Sequence, residues 1–262
     1  MQDILKVEKN TDSIVRLILN DEKSGNSLSD EMISLMSSRL EEISNNEDIK
    51  VVVIASTGKI FCAGHNLKEM TEARQNNDEG KSYFTNLFQS CSDMMQSIVS
   101  CPKPVIAEID GIATAAGCQL VASCDLAIAS DTSSFATPGV NLGLFCSTPM
   151  VALSRNVKKK DAMKMLLTGE MIDAEEAKRI SLINDYVVSE KLSVEVMNLA
   201  KKIASKSMKT VNIGKSAFYK QAELSLSDAY RYTSEVMAKN IMNDDAKEGI
   251  ASFIEKRDPN WD

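Results

Sequence analysis

Two stretches of small residues hold the groups whose types and spacing could do chemistry. The first is Gly58-Lys59-Ile60-Phe61-Cys62-Ala63-Gly64-His65-Asn66-Leu67, and the second is Asp110-Gly111-Ile112-Ala113-Thr114-Ala115-Ala116-Gly117-Cys118-Gln119-Leu120. Each directly follows a short apolar run, Val51–Ala55 and Pro104–Ile109 respectively. Small residues after a buried strand let backbone N–H groups approach a ligand closely. A helix N-terminus adds unpaired donors and a partial positive charge. Two such devices facing one another could aim two donors at one carbonyl oxygen, the arrangement of an oxyanion hole. A plainer reading fits the same residues: a tight turn without a ligand, and a small-residue helix pressed against the sheet.

Other chemistries find less support. The only histidine is His65, and none of the six cysteines (Cys62, Cys91, Cys101, Cys118, Cys124, Cys146) forms a C-x-x-C pair, so no metal site is expected. Buried free thiols are expected instead. No G-x-G-x-x-G, P-loop or G-x-S-x-G pattern occurs, which removes the main signals for dinucleotides, nucleoside triphosphates and a serine triad. A formal net charge of -7 and 5% aromatics disfavour nucleic acid as a partner. No apolar run approaches the length of a membrane span, and Met1–Lys6 lacks a signal-peptide pattern. The expected compartment is the cytoplasm of a bacterium or, for a mature eukaryotic form, the mitochondrial matrix.

The two stretches need elements to position them. Ser13–Leu19, Val51–Ala55, Pro104–Ile109 and Asp125–Ser130 read as strands. Ser29–Asn45, with apolar residues at Met32, Ile33, Met36, Leu40 and Ile43, reads as a helix capped by Ser29 or Asp30. Tyr83–Ser100 reads as a helix stopped before Pro102, and Ala113–Ala122 as a short helix. This rhythm predicts an α/β fold of parallel units. From Lys158 onward the patterns are helical: Asp161–Leu167, Asp173–Arg179, Val194–Lys206, Thr210–Gln221, Ser225–Ala238 and Asp245–Lys256. The expected organisation is a β/α core over residues 1–157 and a helical region over residues 158–262.

Taken together, the motifs resemble the crotonase (enoyl-CoA hydratase/isomerase) superfamily over nearly the whole chain. Asn26-Ser27-Leu28-Ser29 is similar to its N-A-L-N loop, and Phe61–Leu67 to its F-x-A-G-x-D-[LI] segment. Lys103–Ala107, Gly111–Leu120 and Cys124-Asp125 are similar to K-P-x-I-A…G-x-A-x-G-G-G-x-x-L…C-D. Phe135–Gly143, Leu167–Glu170, Ile172–Ala177 and the Phe253–Lys256 end resemble the downstream blocks. The resemblance implies a ββα-repeat core with a helical C-terminal trimerisation region, assembled as a homotrimer or a hexamer of two trimers. It implies an acyl-CoA thioester as substrate or ligand and no further cofactor. Oxyanion-hole donors would be the backbone N–H groups of His65 and Ala116. Contacts to CoA would come from Lys23, Ser24, Ala63, His65 and Leu67, with Phe253 and Lys256 supplied by a neighbouring subunit.

The pattern departs from the family where a hydratase does its proton transfer. The usual two glutamates fall at Gln119 and Gly139, and no Asp or Glu occurs from Gly111 through Cys124 or from Thr132 through Lys160. Neither an amide nor a hydrogen exchanges a proton near neutral pH. Asn66 stands where Asp is usual, and Ala116 where the family has its middle glycine. His65 as an imidazole acid or base and Cys146 as a nucleophile are the remaining candidates. On this reading Gly139 is an empty position, and Gln119→Glu combined with Gly139→Glu is expected to raise hydration.

Overall fold

The computed structural model describes residues 3–10 and 12–261. In chain order the elements begin β1 (Leu5–Lys9), β2 (Ile14–Leu19), α1 (Asp30–Ser44), β3 (Val51–Ser56), β4 (Ile60–Cys62), α2 (Leu67–Ala73) and α3 (Lys81–Ser100). The middle holds β5 (Val105–Ile109), β6 (Ile112–Thr114), α4 (Ala116–Ser123), β7 (Leu126–Ser130), β8 (Ser134–Ala136), α5 (Ser147–Asn156) and α6 (Lys159–Thr168). The chain ends with β9 (Ile172–Asp173), α7 (Ala174–Arg179), β10 (Asp185–Val187), α8 (Ser189–Ala204), α9 (Met208–Ala222), α10 (Leu226–Ile241) and α11 (Asp244–Glu255).

The strands form a six-stranded sheet in the order β1-β2-β3-β5-β7-β10 and a four-stranded sheet in the order β4-β6-β8-β9. Only β1 and β9 pair antiparallel to their neighbours. Each repeat sends one long strand to the large sheet and one short strand to the small sheet, as in β3–β4, β5–β6 and β7–β8. This is the ββα repeat that the resemblance implies.

Continuous apolar strands follow from burial on both faces. Val52 and Ile54 of β3 pack with Met32, Met36 and Leu40 of α1 and Met94 and Ile98 of α3. Val51 and Val53, pointing the other way, pack with Leu192, Val196 and Ala200 of α8. Ser29 caps α1 as expected, its Oγ accepting from the Met32 N–H at 3.1 Å.

The structure corrects the reading of several segments. Ala113–Ala122 is not one helix: β6 ends at Thr114 and α4 begins at Ala116. The chain after Lys158 is not purely helical, because β9 and β10 add a strand to each sheet and α8 covers one face of the larger one. Strands of two and three residues leave no periodicity to detect.

The C-terminal helices are tied to the core by a partly buried ion pair. Lys215 of α9 donates to Asp125 Oδ2 at 2.7 Å and to the Ile98 and Lys103 carbonyls at 3.0 Å, while Tyr219 donates to Asp125 Oδ1 at 2.8 Å. The Asp of the C-D motif is therefore a docking residue for α9. Elsewhere α9, α10 and α11 leave large apolar side chains uncovered, among them Phe218, Tyr230, Met237, Phe253 and Ile254.

Candidate functional site

The two small-residue segments meet. Glycines bring them together by contact between backbones. A Cβ on Gly117 would overlap the Cys62 carbonyl oxygen, and one on Gly111 would overlap the Lys59 carbonyl oxygen. At these two positions the plain packing reading holds, because the close approach is to β4 and the residue before it. That packing nevertheless builds the site. Gly64, at φ +93°, lies so close to the start of α4 that an added Cβ would sit 3.0 Å from Ala115 Cβ and 3.2 Å from the Ala116 nitrogen. Thr114 Oγ1 bridges the segments from the other side, donating to the Ala63 carbonyl at 3.1 Å.

Ala116 is the first residue of α4, where backbone N–H groups have no intrahelical acceptor. The residue before it, Ala115, has φ 51° and ψ -117°, a positive-φ conformation that costs a non-glycine residue about 1–3 kcal/mol. Ala116 is the departure from the family pattern, but the strain sits at Ala115, which leads the chain into α4 beside Gly64. Asn66 explains its own departure from the family pattern. It is the N-cap of α2, its Oδ1 accepting from the Lys68 N–H at 3.0 Å, a role that Asn and Asp fill alike.

The Asn26–Ser29 loop supports the first segment. Asn26 is fully buried, donates to the Thr57 and Ile60 carbonyls at 2.8 and 2.7 Å, and accepts from the Asp21 N–H at 2.7 Å. Leu28 N–H donates to the Gly64 carbonyl at 2.8 Å. The Glu22–Ser24 turn that holds Lys23 and Ser24 is thereby placed beside Ala63, whose N–H donates to the Gly25 carbonyl at 3.0 Å. Leu67 is exposed at the start of α2. Phe253 and Lys256 are not brought to this site within the chain, since α11 packs on α9 and α10.

Several residues of these segments and their neighbours in sequence hold buried polar atoms without a partner. Among the described residues eight buried side-chain N or O atoms lack a hydrogen-bond partner, and five of these belong to Ser27, His65, Gln119 and Thr137. Buried polar groups are otherwise nearly always paired. Gln119, on α4, is 4% exposed, and its Oε1 is one of the five. The His65 ring makes an edge contact with Phe88 at 5.4 Å, and burial lowers its pKa, which keeps the imidazole neutral at pH 7.

The thiols are not activated. All six cysteines are free and buried, and burial pushes Cys62 and Cys118 up to about 12. Cys146 caps α5, and its pKa is also raised by burial, with the Gly139 backbone acting in the opposite direction. A raised pKa argues against the nucleophile reading of Cys146.

Gly139 differs from the empty position that the sequence suggests. It is buried, and a Cβ built on it would lie 2.6 Å from the Leu144 carbonyl oxygen and 2.8 Å from Cys146 Sγ.

The fold and these segments define a class, and comparison with known proteins gives it a name. The family model described as enoyl-CoA hydratase/isomerase matches residues 9–262, and the chain belongs to that family. Among individual relatives, the chain is 49% identical over 250 residues to enoyl-CoA hydratase domain-containing protein 3, mitochondrial, of Rattus norvegicus, covering 95% of this chain and 82% of the relative. It is 30% identical over 242 residues to a probable enoyl-CoA hydratase of Rhizobium meliloti, covering 92% and 91%. Among solved structures, human enoyl Coenzyme A hydratase domain-containing protein 3 superposes with a TM-score of 0.93 at 45% identity over 98% and 100% of the two chains. An enoyl-CoA hydratase of Mycobacterium smegmatis superposes with a TM-score of 0.95 at 43% identity, covering 99% of each chain.

Proposed function

We propose that this chain binds acyl-CoA thioesters and polarises the thioester carbonyl with the backbone N–H groups of His65 and Ala116. The observation that supports this most directly is the contact between Gly64 and the first turn of α4, which sets an unpaired helix-terminal donor beside the His65 turn. The buried side-chain atoms of Ser27, His65, Gln119 and Thr137 that lack a partner leave polar capacity that the chain itself does not fill. Lys23, Ser24, Ala63 and Leu67 would line the CoA path.

Two backbone donors stabilise an enolate or an oxyanion without a proton donor, which is worth several kcal/mol in a site shielded from water. Hydration of a 2-enoyl-CoA needs a base for water and an acid for the α-carbon, each contributing about two to four powers of ten. With Gln119 and Gly139 in those places, the protein acts as an acyl-CoA binder or on a reaction that needs only carbonyl polarisation, such as decarboxylation or thioester hydrolysis. The exposed apolar faces of α9, α10 and α11 support assembly as a homotrimer, alone or paired into a hexamer, which would bring Phe253 and Lys256 of a neighbour to the CoA.

Titration with butyryl-CoA, followed by calorimetry, together with a crotonyl-CoA hydration assay followed by loss of enoyl absorbance, tests this. Saturable butyryl-CoA binding with negligible hydration is expected. Failure to bind, or rapid turnover lost on Gln119→Leu, contradicts it.

A further inference from the structure

We infer that the turn from Val140 to Cys146 fills the volume of a second catalytic side chain, so that Gly139 is an obligatory glycine and not a vacant position. The inference deepens the thioester-binding reading and rests on it for its meaning, though not for its geometry. Three observations carry it. The Leu144 carbonyl oxygen and Cys146 Sγ stand 2.6 and 2.8 Å from where a Gly139 Cβ would be, inside any real contact distance, and the nearer of the two is backbone. Gly143, four residues on, offers the contrast: a Cβ there would meet nothing within 4 Å.

The turn is also locked. Leu144 N–H donates to the Gly139 carbonyl at 2.9 Å and Met150 N–H to the Cys146 carbonyl at 2.9 Å, so the far end of the turn is the start of α5. Behind it, Gly169, which ends α6 at φ +62°, is pressed against the turn. A Cβ on Gly169 would be 3.0 Å from Pro138 Cα and 3.0 Å from Asn141 Nδ2. The turn is thus held between α5 and the end of α6, and giving way at Gly139 would disturb both.

The chemical consequence is a division of the pocket. On the α4 side, Gln119 keeps a long polar side chain in place. On the turn side, position 139 faces the Leu144 carbonyl oxygen and a thiol whose pKa burial raises. A carboxyl group cannot be restored there by substitution alone, and the site is confined to chemistry at the thioester carbonyl and the adjacent carbon.

The test is a double-mutant cycle on the full chain, using Gly139→Ala, Cys146→Ala and the pair, read by thermal unfolding. Gly139→Ala is expected to lower Tm by roughly 5 °C, and Cys146→Ala to recover part of that loss when both are present. An unchanged Tm for Gly139→Ala, or strictly additive effects, overturns the inference. In parallel, Gln119→Glu with Gly139→Glu should either fail to fold or hydrate crotonyl-CoA no faster than Gln119→Glu alone. A folded pair gaining about 100-fold over the single variant also overturns it. Butyryl-CoA titration of the unaltered protein separates the two claims: no binding removes the thioester reading while leaving the unfolding cycle to stand.

Discussion

Gln119 and Gly139 are the same loss in the sequence and opposite situations in the structure. Both occupy positions where the family resemblance puts a glutamate. Gln119 retains the length and shape of the missing side chain on a fully buried helix, and its Oε1 has no partner within the chain. Gly139 has been overrun by the Leu144 carbonyl and Cys146 Sγ. If the resemblance locates the proton-transfer groups, one half of that machinery is an isosteric substitution. The other is a glycine closed in by backbone. The helix side should therefore tolerate exchange, whereas the turn side should not.

The sharpest way to break this comparison is to move the helix side itself. Gly117→Ala forces a methyl onto the Cys62 carbonyl, separates α4 from β4, and should cost about 3 kcal/mol or more and abolish butyryl-CoA binding, as measured by denaturant unfolding and calorimetry. Gly139→Glu comes next. Overpacking adds about 1–3 kcal/mol, and an unpaired buried carboxyl adds to that, so urea unfolding should show a loss of about 3 kcal/mol. Gln119→Glu should be mild by contrast, within about 1–2 kcal/mol at pH 7 and smaller at pH 5, where a buried carboxyl is neutral. A turn side that tolerates glutamate better than the helix side would invert the comparison.

The smallest effect concerns pH. His65 has a folded-state pKa below its unfolded value because of burial, so the unfolded chain binds the proton more readily. Its contribution is therefore neutral above the ordinary histidine pKa and becomes destabilising as pH falls through and below it. Unfolding followed from pH 7.5 to 5 should show a loss of stability that His65→Phe reduces.

Much of this was legible in the residues. The apolar runs Val51–Ala55 and Pro104–Ile109 gave the central strands, because burial on both faces leaves no alternation. The two segments that the motif blocks single out do meet, at Gly64 and the start of α4. The rest depended on distances that residue types do not encode. Gly117 and Gly139 are both glycines in small-residue surroundings, and only the coordinates distinguish a helix–strand contact from a collapsed turn. The strain at Ala115 was hidden because alanine gives no sign of a positive φ. Asp125 belonged to a recognised motif, yet its partners Lys215 and Tyr219 lie 90 and 94 residues away.

The central claim is that two backbone donors act on a thioester carbonyl without help from a carboxyl group. The infrared spectrum of butyryl-CoA labelled with carbon-13 at the thioester carbonyl, bound to the protein, tests it most directly. Hydrogen bonding from His65 and Ala116 should shift the carbonyl stretch to lower frequency than in water, and Gly64→Ala should diminish the shift. A bound thioester whose carbonyl absorbs where it does in free solution would contradict the account.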